Sequence, residues 1–415
     1  MTAFYRQSGS MMSDRKSLTS LAEEFGTPLY VYNRGAIEYA WQEFEKALQG
    51  RRHLICYAVK ANSNLAILDI LARLGSGFDI VSVGELRRVL AAGGQADKIV
   101  FSGVGKSVAE MEAALEVGIR CFNVESDAEL DRLGEVAAAH GVVAPVSLRI
   151  NPDVDAQTHP YISTGLKENK FGIGMSHAMD SYRRGAAHEN LDIKGIDCHI
   201  GSQLTRLAPY ADAVNLLIDM VDRLADEGIR LSHIDVGGGQ GIAYTDDESS
   251  LDIGAWADCV VQAIGDRELE ILVEPGRYIV GQAGVLLTRV EYLKNNEDRH
   301  FAVVDAAMND LIRPALYSAW QAIEEVETLP REKQIYDVVG PICESADFLG
   351  KERPLAIAQD DLLCVRSAGA YAAVMSSNYN TRARAAEVMV DGDRAHLVRA
   401  REEIDALFAN EHLLP

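Results

Sequence analysis

At 415 residues the chain is too long for one ordinary domain and comfortable for two; with 48% hydrophobic and 25% charged residues it suits a soluble globular protein with a large core. A formal net charge of −22 repels nucleic acid and anionic lipid and sets both aside as partners, although local arginines can still favour a small anion in a cleft. No run of about 18 apolar residues is present, so no membrane span is expected, and the opening MTAFYRQSGSMM lacks the features of a secretory signal, which points to the cytoplasm.

From about residue 50, short β-rich apolar runs alternate with longer amphipathic segments. The predicted strands are 53–59, 77–82, 98–103, 120–124, 145–150, 194–200, 231–236 and 269–273. Helical sequences fall between them, among them 65–74, 108–117, 128–140 and 210–227. Parallel strands need helical crossovers, so eight such units predict a (β/α)8 barrel. An open doubly wound sheet gives the same beat, and the placement of polar residues separates the two. Lys60, Ser82, Gly105, Glu125, Asn151, His199, Gly237, Gly238, Gly239, Glu274 and Arg277 follow directly on the runs. In a barrel those positions make one rim, the face where active sites are built.

After Gly281 the runs 284–293, 299–306, 333–340, 361–367 and 386–392 are separated by turns, which predicts a mostly antiparallel β domain. The expected domains are a barrel over 30–282 and a β domain over 283–415, the latter completed by residues 1–29. The six cysteines (Cys56, Cys121, Cys198, Cys259, Cys343 and Cys364) form no CxxC pair, so no metal site is expected, and five of them read as reduced, mostly buried thiols.

Lys60 ends the first strand in YAVKANSN. Alone, such a lysine is more often a strand terminus reaching solvent; the functional alternative is a partly desolvated, nucleophilic Schiff-base amine. Gly237, Gly238 and Gly239 follow strand seven, where barrels often hold a phosphate, and a helix starting after them would add its N–H groups; a tight turn accounts for them equally well. In VEPGR, Pro275 and Gly276 fix a turn from which Glu274 and Arg277 project. They could be a surface ion pair. They could also be a carboxylate that keeps a pyridine nitrogen protonated, with an arginine for a carboxylate or phosphate. His199 in CHIGSQ is either a satisfied core histidine or a ring stacked on an aromatic cofactor, with Ser202 then in reach of a phosphate oxygen.

In order, YAVKANSN, GSGFDIVSVGEL, LRINPDVDAQTHPYISTGLKENKFGI, CHIGSQ, DVGGGQG and EPGR resemble the fold-type III (alanine-racemase-like) pyridoxal-phosphate (PLP) decarboxylases. DAAMNDLIRPALY (305–317), GPICESADFLG (340–350) and the stretch 369–392 are similar to the diaminopimelate decarboxylase branch. The resemblance covers residues 20–400. It implies that Lys60 bonds the cofactor, His199 stacks on its ring and Glu274 pairs with its nitrogen. It implies phosphate contacts from Gly237, Gly238, Gly239, Ser202 and Tyr371, and adds Asp79, Arg149, Gly276 and Arg277 to the cofactor set. Arg277, Arg313, Tyr317, Glu344 and Tyr371 would contact substrate. Cys343 would protonate the product carbanion, reaching the site with Glu344 across the interface of a homodimer with two shared sites. The implied reaction turns meso-diaminopimelate into L-lysine and CO2, the end of lysine biosynthesis.

Two positions depart from the family pattern: Gln240, where Leu or Phe is usual, and Ala346, where Gly is usual. Neither supplies a charged catalytic group. Three rivals remain. A decarboxylase of ornithine, lysine, arginine or carboxynorspermidine is disfavoured by Glu344, since ornithine-type relatives tend to carry Asp there. A racemase is disfavoured by Glu274, since racemases place an arginine at the ring nitrogen. A non-catalytic homologue is disfavoured by the presence of Lys60 and Cys343.

Overall fold

The structure, a computed structural model, describes residues 3–154, 169–245, 247–296 and 299–415. The part of the LRINPDVDAQTHPYISTGLKENKFGI motif that falls in 155–168 lies outside them. Two compact units divide the chain. One comprises 40–242 and 249–278; the other comprises 1–39, 243–248 and 279–415.

The first unit is a closed parallel barrel. Its strands are β1 (His53–Ala58), β2 (Gly77–Ile80), β3 (Ile99–Phe101), β4 (Cys121–Val124), β5 (Ala144–Asn151), β6 (Leu191–Asp197), β7 (His233–Asp235) and β8 (Glu270–Val273). Each pairs in parallel with its sequence neighbours, and β8 closes on β1 through Val273 opposite Ile55. All eight predicted strands are present, and the open-sheet alternative is excluded by that closure.

The crossover helices carry the local signals that start and stop them. Asn64 caps Leu65–Leu74 by accepting from the Ala66 N–H, Ser107 and Glu110 form a capping box before Val108–Val117, and Ser126 caps Asp127–His140. Gly75, Gly118 and Gly141 end these helices in the left-handed conformation that costs glycine nothing.

Strand alternation sorts the barrel side chains by height. On one face of five of the strands, apolar or small residues precede polar ones: Cys56 before Lys60, Gly77 before Asp79, Val100 before Ser102, Cys121 before Asn123, and Leu272 before Glu274. Leu54, Cys56, Val100, Cys121 and Leu272 form one buried cluster, and the polar members stand beyond it at the C-terminal ends.

The second unit is a strand-rich sheet built from β9 (Gly284–Asn296), β10 (Arg299–Val304), β11 (Gln334–Val339), β12 (Phe348–Leu355), β13 (Leu362–Val365), β14 (Ala386–Asp391) and β15 (Arg394–Arg399). Most pairings are antiparallel; β10 with β11 is parallel, as is β14 with the early strand Leu29–Asn33. That early strand lies between β9 and β14, so residues before the barrel contribute to the sheet. Among the described residues, no helix is long and apolar enough to cross a membrane.

Candidate active site

The rim is built from β1 onward. A single 3-10 turn, Val59–Ala61, follows β1 and carries Lys60. The rest of YAVKANSN fixes that turn: the Tyr57 hydroxyl donates to the Asn62 carbonyl at 2.9 Å, and the Asn62 carboxamide oxygen accepts from the Asn64 N–H at 3.1 Å. Lys60 Nζ donates to Asp79 Oδ2 at 2.7 Å. Asp79 is fully buried on β2, and its Oδ1 has no partner.

On the neighbouring strand, Glu274 directly follows β8 at 5% exposure, its Oε1 held by Ser102 Oγ at 3.4 Å and Asn123 Nδ2 at 3.3 Å. The turn beneath it is rigid. Ala58 donates its N–H to the Pro275 carbonyl, and a Cβ on Gly276 would meet the Ala61 Cβ at 2.9 Å. Oxygens of Glu274, Asp197 and Asp235 all lie within 4.8 Å of one another. Burial, then the neighbouring carboxylates, pushes the Glu274 carboxyl well above its ordinary range. Asp197 is raised the same way, and Asp235 is pushed up to about 6. Three like charges this close and this dry cannot all persist without a counter-charge.

The cations of the rim are already engaged. Arg149 donates to Glu125 Oε1 at 3.1 Å and lies 4.0 Å from Asp197. Glu125 Oε1 also accepts from the Gly103 N–H, and its Oε2 from the Gly172 N–H. Lys106, buried behind it, spends its three protons on the Gly103 and Asn123 carbonyls and on Glu129.

His199 follows β6. The Gly238 N–H donates to its Nδ1 at 3.1 Å, which leaves the proton of a neutral ring on Nε2. Burial, then Arg149 and Lys60, holds this histidine well below its ordinary pKa. The three glycines are demanded by backbone crowding: Cβ atoms on Gly237, Gly238 and Gly239 would meet the carbonyls of Cys198, Glu274 and Gly201 at 2.4, 2.1 and 2.2 Å. Among the described residues no helix starts directly after them, so no helix N–H groups add to the turn; the next helix is Ile253–Ile264. Arg277, 5% exposed, donates to Ser202 Oγ at 3.0 Å, so a cation and a hydroxyl stand side by side rather than a surface ion pair. Gln240 is buried, and neither its carboxamide oxygen nor its nitrogen has a hydrogen-bond partner.

The other unit carries the remaining predicted residues. Arg313, 7% exposed, opens a short helix (Arg313–Tyr317), donates to the Tyr244 hydroxyl at 3.4 Å, and has its guanidinium 5.5 and 5.9 Å from the Tyr244 and Tyr317 ring centres. Cys343 and Glu344 are exposed, the Cys343 N–H donating to Asn380 Oδ1 at 3.1 Å. Tyr371 adopts a left-handed backbone at φ 53°. Ala346 is half-buried, its carbonyl accepting from the Phe348 N–H.

Asp197, Asp235, Asn123, Ser102 and Lys106 escaped the residue-by-residue reading. Their signal was an isolated polar residue on the inward phase of an otherwise apolar strand, as in KGIDCHI and RCFNV. Tyr244, the partner of Arg313, carries no signal in sequence.

Residues 34–281 match the family described as pyridoxal-dependent decarboxylase, pyridoxal binding domain. The chain is 59% identical over 416 residues to a diaminopimelate decarboxylase of Pseudomonas fluorescens, covering 100% of both, and 57% identical over 412 residues to one of Vibrio cholerae, covering 99% of both. Among solved structures it is similar to diaminopimelate decarboxylase from Helicobacter pylori complexed with L-lysine, with 42% identity and a TM-score of 0.92 over 95% of this chain and 98% of that one.

The cofactor of the family is pyridoxal 5'-phosphate, and the rim fits it. Arg149 stands beside Asp197 alone, and a protonated ring nitrogen would be the further counter-charge that suits Glu274 and Asp235; Lys60 stands on the same rim within hydrogen-bond reach of Asp79. The length of the match and the identity over the whole chain place this protein in the diaminopimelate decarboxylase family of pyridoxal-dependent decarboxylases.

Proposed function

We propose that the enzyme decarboxylates meso-2,6-diaminopimelate to L-lysine and CO2, the last step of lysine biosynthesis, as a homodimer with shared sites. The observation that carries the reading is the buried Glu274 carboxylate on the rim that also bears Lys60. A carboxylate at the ring nitrogen suits decarboxylation, whereas a racemase would place an arginine there. Bound pyridoxal phosphate supplies the electron sink for the pair released from the Cα–carboxylate bond.

Lys60 is the amine that would hold the cofactor through its aldehyde carbon. Asp79 holds that ammonium when the lysine is free. Glu274 keeps the ring nitrogen protonated, and Ser102 and Asn123 keep Glu274 aimed. The neutral His199 ring, pinned by the Gly238 N–H, would offer its flat face to the cofactor. Arg149, which donates to Glu125 and lies 4.0 Å from Asp197, would steady both carboxylates when the cofactor is bound. Ser202, the glycine turn, Gly276, Arg277 and Tyr371 serve the phosphate, Arg277 and Tyr371 also facing substrate. Cys343 of the second subunit brings the proton to Cα on its Sγ.

Diaminopimelate ends in a second amino-acid head. Glu344 suits its ammonium, and Arg277 and Arg313, with Tyr317 and Tyr371, suit its carboxylate. Lysine and ornithine lack that carboxylate and would leave a buried arginine without its anion; sites built this way reject truncated analogues by about 10⁴-fold. The complex of the Helicobacter pylori relative with L-lysine supports the same substrate class. The test is to supply pyridoxal phosphate and meso-diaminopimelate and to measure lysine and CO2, with ornithine as competitor. Arg313→Ala should lower kcat/KM for diaminopimelate by about 10²-fold while leaving the low ornithine rate alone. Comparable kcat/KM for ornithine and diaminopimelate in the unaltered enzyme would move the protein to the ornithine-type group.

A further inference from the structure

The loop between β11 and β12 carries Cys343 and Glu344 on the surface with few backbone ties of its own. Within it the Glu344 N–H reaches the Ile342 carbonyl, the Asp347 N–H reaches the Glu344 carbonyl, and the Gly340 N–H reaches the Asp347 carbonyl at 3.3 Å. Besides the exposed bond from the Cys343 N–H to Asn380 Oδ1, one buried side chain ties it to the rest of its unit. Asp347 is 4% exposed, and its carboxylate is divided between two loops. Oδ2 accepts from the Ile342 N–H at 2.7 Å, next to Cys343, and Oδ1 accepts from the Met308 N–H at 2.7 Å. Met308 belongs to the turn that leads into the Arg313 helix. That turn is itself closed by Asp310, whose Oδ2 accepts from the Ala307 N–H and whose N–H donates to the Ala307 carbonyl. Gly340 leaves room for this arrangement, since a Cβ there would meet Asp347 Oδ2 at 2.5 Å and the Ala307 Cβ at 2.6 Å.

We infer that Asp347 is a positioning residue, which holds the Cys343 loop, offered to the second subunit's site, in fixed register with the approach to Arg313, so that one carboxylate sets both the proton donor for one site and the distal carboxylate reader of the other. A carboxylate is the one small side chain that offers two acceptors and no donor. Asparagine in its place would set an N–H₂ against one of the two backbone N–H groups, and one loop would lose its anchor. The inference rests on the roles proposed above for Cys343 and Arg313.

The experiment is a double-mutant cycle on the holoenzyme with meso-diaminopimelate. Asp347→Asn should lower kcat by about 10- to 100-fold, since the anchor sets a proton donor of that weight, with the visible absorbance of the bound cofactor unchanged. In a Cys343→Ala background the same substitution should cost less than about threefold in kcat, because its effect passes through Cys343; what remains should be a rise in KM through Arg313. Wild-type kcat in Asp347→Asn, or an equal loss of kcat in both backgrounds, would overturn the inference. Full turnover by Cys343→Ala would instead remove the reading on which it rests. If the Asp347 variants do not fold, amide exchange in the unaltered enzyme decides: the Ile342 and Met308 N–H groups should exchange as slowly as those of neighbouring strands, and rapid exchange at both would overturn it.

Discussion

The barrel has two ends made of the same strands, and they treat polar groups in opposite ways. At the N-terminal side the inward residues are apolar or neutral. Leu54, Cys56, Val100, Cys121 and Leu272 pack together, burial keeps the Cys56 and Cys121 thiols protonated, and His233 is held neutral. Outside that cluster Glu270 is claimed by both Arg120 and Arg52. At the C-terminal side the same strands end in Lys60, Asp79, Asn123, Arg149, Asp197, Asp235 and Glu274, and four of these retain an oxygen without a partner: Asp79, Asn123, Asp197 and Asp235. An unmet buried polar group costs about 1–3 kcal/mol; His233 Nε2 and Arg120 Nε are unmet at the other end too, but the unmet carboxylate oxygens gather at this one, where a ligand can meet them. One end holds the barrel together. The other is kept short of counter-charge for the cofactor.

The largest break in this comparison comes from Lys60→Ala. Turnover should fall by about 10³-fold or more, since the amine that carries the cofactor is gone. Borohydride reduction of the unaltered enzyme should place the label on the Lys60 peptide, and recovery on another lysine would overturn the assignment. The same substitution strands the fully buried Asp79 carboxylate. Lys60 is itself about one-third exposed and partly screened, so the stability loss should be near 1 kcal/mol.

Next is Glu274→Gln, where the two ends predict opposite signs for function and stability. Losing the ring-nitrogen partner should lower kcat by about 10²-fold. Losing one of three crowded carboxylates should raise the melting temperature of the cofactor-free protein, by about 3 °C for each kcal/mol relieved. The effect follows from the raised pKa: at neutral pH the unfolded chain ionises this carboxyl freely, whereas the folded protein must either bind a proton or bear a buried charge, and glutamine removes that cost. Calorimetry of wild type and variant without cofactor checks it, and a lower melting temperature for the variant would mean that the cluster is not under repulsion.

The fold was legible because its signals are local. Period-2 apolar runs, capping serines and asparagines, and left-handed glycines each act within a few residues, and all eight barrel strands follow from them. The rim was legible where chemistry interrupts a run, as at Lys60, His199 and Glu274. It was not legible where one residue matters through others distant in sequence. Asp235 looks like part of a glycine turn until Asp197 and Glu274 are placed beside it, 38 and 39 residues away. Tyr244 looks like a loop tyrosine until Arg313 stacks on it. The glycines carry two demands that sequence cannot separate: a turn packed against three carbonyls and a turn open to an anion require the same residue.

Gln240 sharpens the comparison at a site where the chain departs from its family. Its buried carboxamide has no partner on either atom, in a loop that otherwise satisfies its backbone through Leu204. Gln240→Leu should stabilise the protein by about 1–2 kcal/mol in urea titration with kcat within twofold. A loss of stability would mean that the amide is satisfied by ordered water.

The smallest effect belongs to His233, at the apolar end. It is 2% exposed, and its ring lies against Gly195, where a Cβ would meet Nε2 at 2.1 Å. Burial first, then Arg120 and Lys194, depresses its pKa to about 3. The folded pKa thus lies below the unfolded value of about 6.5, so between these limits the unfolded chain binds a proton that the folded protein refuses. The resulting stability is complete above pH 6.5 and is lost as the pH falls towards 3. The slope approaches, at most, about 1.4 kcal/mol per pH unit. His233→Leu removes that proton. The difference in unfolding free energy between variant and wild type should therefore tilt in the variant's favour by about 1 kcal/mol per unit between pH 6 and 4, and be flat above pH 7. The titrating carboxylates at the other end are common to both proteins and cancel in the difference. Because the ring stands below the apolar cluster, kcat/KM at pH 8 should not change. Urea midpoints over this range make the measurement, and parallel profiles would show that His233 is protonated in the fold, so that the two ends differ less than their residues suggest.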